Sequence, residues 1–167
     1  MQNQDRVSGH YTHGSLLNAI IAGLEKLGKT ADDVTLDDLG PVEEFHIGGR
    51  QASADVLDQL NLQATDLVLD VGCGLGGVAR FTASRYGSRV TGVDLTEEFV
   101  RTGQVINTWL ELDDRVGLEQ GSATAMTYPD GSFDKAYMMH VGMNIEDKHL
   151  LMRELHRVLK PGGLLGI

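Results

Sequence analysis

A glycine-rich segment in the middle of the chain has residue types suited to ligand binding. Residues 66–77 read Asp-Leu-Val-Leu-Asp-Val-Gly-Cys-Gly-Leu-Gly-Gly, which predicts a buried strand, a tight turn and the start of a helix. Such a corner directs backbone N–H groups and the positive end of a helix dipole toward a ligand. We therefore expect this segment to be the centre of a binding site.

The glycine spacing, together with an acid farther along the chain, indicates a nucleotide-like cofactor. Gly72, Gly74 and Gly77 match the pattern Gly-x-Gly-x-x-Gly, and Asp94 follows about 20 residues later, where an acid that binds ribose is expected. The pattern is compatible with NAD, FAD or S-adenosylmethionine. Asp70 favours the last, because a carboxylate beside the turn would repel a pyrophosphate but attract an ammonium or a sulfonium.

The same residues could also have a purely structural role. The glycines could simply allow tight packing of a helix on a sheet, and Asp94 could cap the helix that follows Thr96. The combination favours the cofactor interpretation, in which both ribose hydroxyls donate to the Asp94 carboxylate.

Hydrophobic periodicity predicts the elements that position this site. Three helices are expected before the glycine turn, over residues 15–27, from 30 or 31 to 39, and across residues 52–60. After the turn, helices alternate with further strands, which are expected at 89–95, 116–120, 133–139 and from 164 onward. Asn144 is expected to start the last helix, and Pro161-Gly162-Gly163 to end it. Alternating strands and helices predict an α/β fold with a doubly wound, mostly parallel sheet of about five strands.

Composition narrows the classes of partner and compartment. The formal charge of −10 argues against nucleic acid or an anionic membrane as a partner. The single cysteine, Cys73, suits a reducing compartment, and no apolar run approaches the ~20 residues that span a bilayer. The polar N-terminus lacks a signal peptide, and no histidine cluster has metal-ligand spacing. We therefore expect a cytoplasmic protein without a metal.

The motifs resemble those of the class I S-adenosylmethionine-dependent methyltransferases over about residues 40–167. Residues 70–76 match the family's first motif, which wraps the methionine part of the cofactor, and Asp94 matches the acid that closes the second strand. Residues 121–134 match the segment beside the adenine, with Ser122 in place of the usual Asp, and residues 159–163 match the turn before the fifth strand.

This resemblance implies S-adenosylmethionine as cofactor and S-adenosylhomocysteine as product. It implies a cofactor site made by these residues: Asp70, Gly72, Gly74, Asp94, Leu95, Ser122, Ala123 and Met139. It also implies a Rossmann-like domain at 63–167, preceded by a helical N-terminal cap at 1–62. The last two of the family's seven strands are missing, so the chain is expected to be truncated, or its final strand to be covered by another copy in a homo-oligomer.

A finer resemblance, to methyltransferases of the sarcosine/dimethylglycine type, rests on residues 44–49 and 140–145. It implies a small-molecule acceptor, such as one of those amines, with His140 and Asn144 as catalytic groups. Tyr11 and His46 could belong to a lid, and Arg50 could pair with a substrate carboxylate. The structural alternatives are that the His140 side chain only hydrogen-bonds to the backbone and that Arg50 is solvated.

Two other functions remain open from the sequence. The same three glycines suit an NAD(P)-dependent oxidoreductase. A truncated domain could also hold the cofactor without turnover.

Overall fold

A computed structural model of the chain describes residues 16–43 and 47–167. The helices and strands in chain order are α1 Leu16–Lys26, α2 Leu36–Glu43, α3 Gly49–Gln59, β1 Leu67–Val71, α4 Gly77–Tyr86, β2 Arg89–Asp94, α5 Glu97–Trp109, β3 Val116–Gln120, β4 Phe133–Tyr137, α6 Lys148–Val158 and β5 Leu159–Gly166. A 3-10 turn, Gly142–Asn144, lies between β4 and α6.

The five strands form one parallel sheet in the order β3-β2-β1-β4-β5. The chain moves outward from β1 through β2 to β3, then returns to the other side of β1 with β4 and β5. This reversal leaves a crevice at the carboxyl ends of β1 and β4, which is where open α/β sheets bind ligands. The predicted parallel α/β fold is confirmed.

Each face of the sheet is covered by helices. On one face, buried residues of β1–β3 pack against α3, α4 and α5, in a cluster that includes Val68, Val78, Val90, Val100 and Val116. On the other face, a second cluster joins the sheet to α6 and includes Leu69, Val71, Ala136, Leu151 and Leu155. Consecutive residues of β1 contribute to opposite clusters, as expected for a strand buried on both faces.

The first helices pack against the glycine turn and α5. Ile20 and Leu24 of α1 and Leu39 of α2 share a buried cluster with Leu75 of the glycine turn and Ile106 of α5. The predicted cap and the predicted Rossmann-like domain therefore share apolar core, and a boundary at residue 62 stays a prediction.

Helix α2 begins later than predicted and includes the residues expected to end it. Residues 30–33 form a turn, because the Asp33 carboxylate accepts hydrogen bonds from the backbone and hydroxyl of Thr30. Thr35 and Asp38 repeat this contact at the true helix start. Pro41 lies inside the helix, where its missing N–H removes one backbone bond.

The C-terminal boundaries also differ from prediction. Asn144 does not start α6; the helix begins after Asp147, whose Oδ1 accepts a hydrogen bond of 2.8 Å from the Leu150 N–H. Strand β5 begins at Leu159 and includes the Pro-Gly-Gly segment. Its pairing with β4 shifts between Phe133 and Lys135, and a bulge of this kind accommodates proline and glycine at a sheet edge.

None of the helices in the described ranges is both long and apolar enough to cross a membrane.

Candidate functional site

A cavity of about 820 Å³ opens at the carboxyl ends of the central strands. Its wall combines the glycine turn after β1, the end of β2, residues 121–125 and the loop that follows β4. The volume falls in the range of pockets that hold small molecules and cofactors.

The glycine turn lets its backbone form the floor of the cavity. Gly72 has a φ of +73°, its N–H donates to the Val93 carbonyl at 2.8 Å, and a β-carbon there would overlap Val141. Gly74 has a φ of +55°, and apart from Gly74 and its two chain neighbours no described residue has an atom within 4 Å of the position a β-carbon would take. The space above Gly74 is therefore open to a ligand, while Gly72 is needed for close packing.

Asp94 fixes the geometry of two backbone segments in the cavity wall. Its Oδ2 accepts the Gly74 N–H at 2.9 Å, and its Oδ1 accepts the Thr96 N–H at 2.8 Å. Each carboxylate oxygen can accept a further hydrogen bond. Asp94 thus joins the glycine turn to the start of α5 and retains capacity for ligand hydroxyls.

Asp70 is a buried carboxylate at the cavity. It is 2% exposed, and among the described residues its Oδ2 has no hydrogen-bond partner. Burial raises the pKa of Asp70 to about 7, and a hydrogen bond from the Tyr137 hydroxyl opposes that shift. A buried carboxylate with an unused oxygen is well suited to pair with a cationic group of a ligand.

The structure brings all the predicted cofactor residues to this one cavity. Besides Asp70, Gly72, Gly74 and Asp94, the wall contains Leu95, Ser122, Ala123 and Met139. The Ser122 hydroxyl lies 2.9 Å from the Thr124 hydroxyl and belongs to a short turn at the cavity edge. Their individual contacts with a cofactor stay predictions.

The two predicted catalytic residues lie on the loop after β4 and also line the cavity. His140 has a left-handed backbone with a φ of +54°. Asn144 ends the 3-10 turn and is exposed. Both are therefore positioned at the mouth of the cavity, and their role in catalysis stays a prediction.

Of the three predicted substrate residues, only Arg50 lies within the described part of the chain. Tyr11 and His46 lie outside the described residues. Arg50 is not in the cavity wall; its guanidinium lies 4.7 Å from the Phe81 ring centroid and donates to the Leu36 carbonyl at 3.3 Å. These contacts favour a structural role in which Arg50 ties α3 to α2 and α4.

Sequence reasoning missed a buried ion pair next to the turn. Glu43, an acid of the N-terminal helical segment, is 7% exposed and pairs with Arg80. Burial lowers the pKa of the Arg80 guanidinium, and the Glu43 charge opposes that shift. The available signal was an arginine among the apolar residues of a short helix.

The described wall of the cavity is rich in acidic side chains. Five carboxylates line the cavity, from Glu43, Asp70, Asp94, Glu146 and Asp147; Glu43 is paired with Arg80 outside the wall, and the lining residues in the described ranges include no lysine or arginine. No group of three or more potential metal ligands occurs within residues 16–43 and 47–167. The arrangement therefore suits a cationic or neutral ligand.

Comparison with known proteins places residues 69–167 in the family described as "Methyltransferase domain". The chain is 34% identical over 116 residues to phosphoethanolamine N-methyltransferase 1 of Zea mays, an alignment that covers 70% of this chain and 23% of the relative.

Two solved structures have a similar fold. A putative sarcosine dimethylglycine methyltransferase from Galdieria sulphuraria has a TM-score of 0.66 and 26% identity, over 69% of this chain and 44% of that one. The cyclase SpnF has a TM-score of 0.67 and 30% identity, over 69% of this chain and 42% of that one. The chain thus spans less than half the length of each of these three proteins.

Proposed function

This chain belongs to the class I S-adenosylmethionine-dependent methyltransferases, and from that premise we propose that it is the cofactor-binding part of an enzyme that methylates a small molecule. The observation that carries the proposal is the buried Asp70 carboxylate with an unused oxygen at the cavity. A pyrophosphate beside it would be repelled, so Asp70 favours S-adenosylmethionine over a nicotinamide dinucleotide.

The residues present fit this cofactor. The open backbone at Gly74 leaves space for the methionine part, and Asp70 can pair with a positive charge. Asp94 can accept the ribose hydroxyls through its remaining lone pairs. The segment that includes Ser122 and Ala123 lines the cavity and can contact the adenine.

Methyl transfer requires the protein mainly to align the acceptor with the methyl group. When bound, S-adenosylmethionine supplies an electrophilic methyl group, and S-adenosylhomocysteine is the product. The cavity wall would hold the acceptor in line with that methyl group. His140 can accept the proton that an attacking amine or hydroxyl loses, and Asn144 can orient the acceptor through its amide.

We infer that the acceptor is a small amine that carries no phosphate. The carboxylates of the cavity wall would attract a cationic amine, and the described wall offers no lysine or arginine to a phosphate or carboxylate. With Arg50 outside the cavity, an amine without a carboxylate fits better than sarcosine or dimethylglycine. Product formation by the full-length protein with simple methylamines, sarcosine and phosphoethanolamine tests this order, and a preference for phosphoethanolamine would reverse it.

The cofactor site is tested by Asp94→Asn. An amide has only one acceptor oxygen, so its NH₂ group would face one of the two backbone N–H groups, donor against donor. The variant therefore loses one of the two backbone hydrogen bonds and weakens the contact with the ribose. Charge-assisted hydrogen bonds contribute about 1.5–3 kcal/mol, so we expect S-adenosylhomocysteine to bind roughly 10- to 100-fold more weakly by calorimetry. Asp114→Asn is the matched control, because Asp114 is an exposed acid that does not line the cavity. Equal affinity in the two variants would exclude a ribose contact at Asp94.

A second candidate function is cofactor binding that supports another reaction. The observation in its favour is the likeness to a cyclase with the same fold. A protein that binds S-adenosylmethionine tightly and forms no S-adenosylhomocysteine with any acceptor of the panel would support it.

A further inference from the structure

A fully buried ion pair joins the helix of the glycine turn to the N-terminal helical layer. The Glu43 Oε1 accepts a hydrogen bond from the Arg80 Nη2, and both side chains are 0% exposed. Glu43 is the last residue of α2 and lines the cavity, whereas Arg80 lies in the first turn of α4. One contact therefore connects the cavity wall, α2 and α4.

The same guanidinium holds the backbone of the glycine turn. Arg80 Nη2 donates to the Leu75 carbonyl at 2.7 Å, and Nη1 donates to the Gly103 carbonyl at 3.2 Å and to Asn107 Oδ1 at 2.7 Å. Leu75 directly follows Gly74, whose N–H is held by Asp94. The turn is thus fixed on one side by a carboxylate and on the other by Arg80.

Gly77, at the start of α4, makes room for Glu43. A β-carbon on Gly77 would lie 2.7 Å from the β-carbon of Glu43 and 3.0 Å from its Oε2. Such a side chain would require Glu43 to shift. Gly77 is therefore required by the contact between α2 and α4.

We propose that Glu43 and Arg80 are positioning residues that couple the docking of α2 to the geometry of the cofactor turn. The inference rests on the proposed cofactor site. A turn in which Arg80 no longer holds the Leu75 carbonyl samples more conformations, so we expect removal of the pair to weaken cofactor binding. Because coupling is reciprocal, cofactor binding also slows the local opening of α2.

The test compares the wild-type chain with Glu43→Leu/Arg80→Met, in which apolar groups replace the whole pair. Such double replacements are often tolerated, whereas the loss of one partner leaves a buried charge. With the fold intact by circular dichroism, we expect S-adenosylhomocysteine to bind at least about fivefold more weakly. We also expect bound S-adenosylhomocysteine to slow hydrogen exchange at residues 36–43 in the wild type and not in the variant.

A control separates positioning from general destabilisation. Leu57→Ala removes a fully buried side chain of α3 and is expected to destabilise the chain with unchanged affinity and exchange coupling. If the double variant does not fold, Glu43→Gln/Arg80→Met, which also removes both charges and the donor to the Leu75 carbonyl, serves in its place. Wild-type affinity and exchange coupling in the folded variant would overturn this inference alone. Absence of binding by the wild type would overturn the proposed function as well.

Discussion

The protonation of the Asp70 carboxyl depends on the charge of the ligand beside it. In the ligand-free chain, burial raises the pKa of Asp70 from 3.8 to about 7. The folded state therefore holds a proton that the unfolded state releases between these values, so this group makes stability fall as pH rises through that window. A cationic ligand stabilises the carboxylate and reverses the shift.

Asp70→Asn tests this sign. The amide cannot ionise, so we expect the variant to gain stability relative to the wild type as pH rises from 4 to 8. The gain should be at least about 1 kcal/mol, since one pKa unit corresponds to 1.36 kcal/mol. Urea unfolding of both proteins at pH 4, 6 and 8 measures it. A difference that does not change with pH would mean that Asp70 titrates normally.

His140 combines a strained backbone with a proposed chemical role, and two substitutions separate them. Its φ of +54° is left-handed, which costs a residue with a β-carbon about 1 kcal/mol. We expect His140→Gly to be more stable than His140→Ala by about that amount in urea unfolding. Both variants should lose methyl transfer to the same extent, because both lack the imidazole. Full activity in either would remove His140 from the mechanism.

At the level of elements, close approach of α5 to the glycine turn shapes the site. A β-carbon on Gly103 would lie within 3 Å of backbone and side-chain atoms of its neighbours, whereas one on Gly23 of α1 meets nothing within 4 Å. We expect Gly103→Ala to destabilise the chain by about 1–3 kcal/mol, from overpacking. Gly23→Ala should stabilise it by up to about 1 kcal/mol, through helix propensity.

Thermal and urea unfolding of these two glycine variants give the comparison directly. Gly103→Ala should also weaken cofactor binding, because the nearest neighbours include Leu75 of the turn. Two variants of equal stability would show that α5 can move away from the turn at little cost.

The sequence predicted the elements well where hydrophobic pattern decides them. Strand β1 and the glycine turn follow from an apolar run and positions that need positive φ, and parallel order follows from alternation. The starts of α2 and α6 were wrong, because single side chains such as Asp38 and Asp147 decide where a helix begins. The start of β5 was wrong, because a bulge admits proline at an edge.

The same distinction holds for the candidate site. Residues 70–77 and Asp94 could be placed, since local geometry brings the end of one strand beside the next. The pair of Glu43 and Arg80 could not, because 37 residues separate its partners along the chain. The stacking of Arg50 on Phe81 could not be predicted either, because it depends on tertiary packing.

Across the whole molecule, the acidic character of the chain and of its cavity agree. The formal charge is −10, and the described cavity wall is lined by carboxylates without lysine or arginine. Such a field favours the approach of cations over that of phosphates. The expected cytoplasmic location and the covered C-terminal strand edge stay predictions at this scale.

The central claim is that the glycine turn and Asp70 bind S-adenosylmethionine through its positive charge. Calorimetric titration of the 167-residue chain with S-adenosylmethionine at pH 7, in two buffers of different ionisation enthalpy, tests it most directly. We expect binding with release of a fraction of a proton, and we expect this release to be absent in Asp70→Asn. Absence of binding to the folded chain, or uptake of protons on binding, would contradict the account.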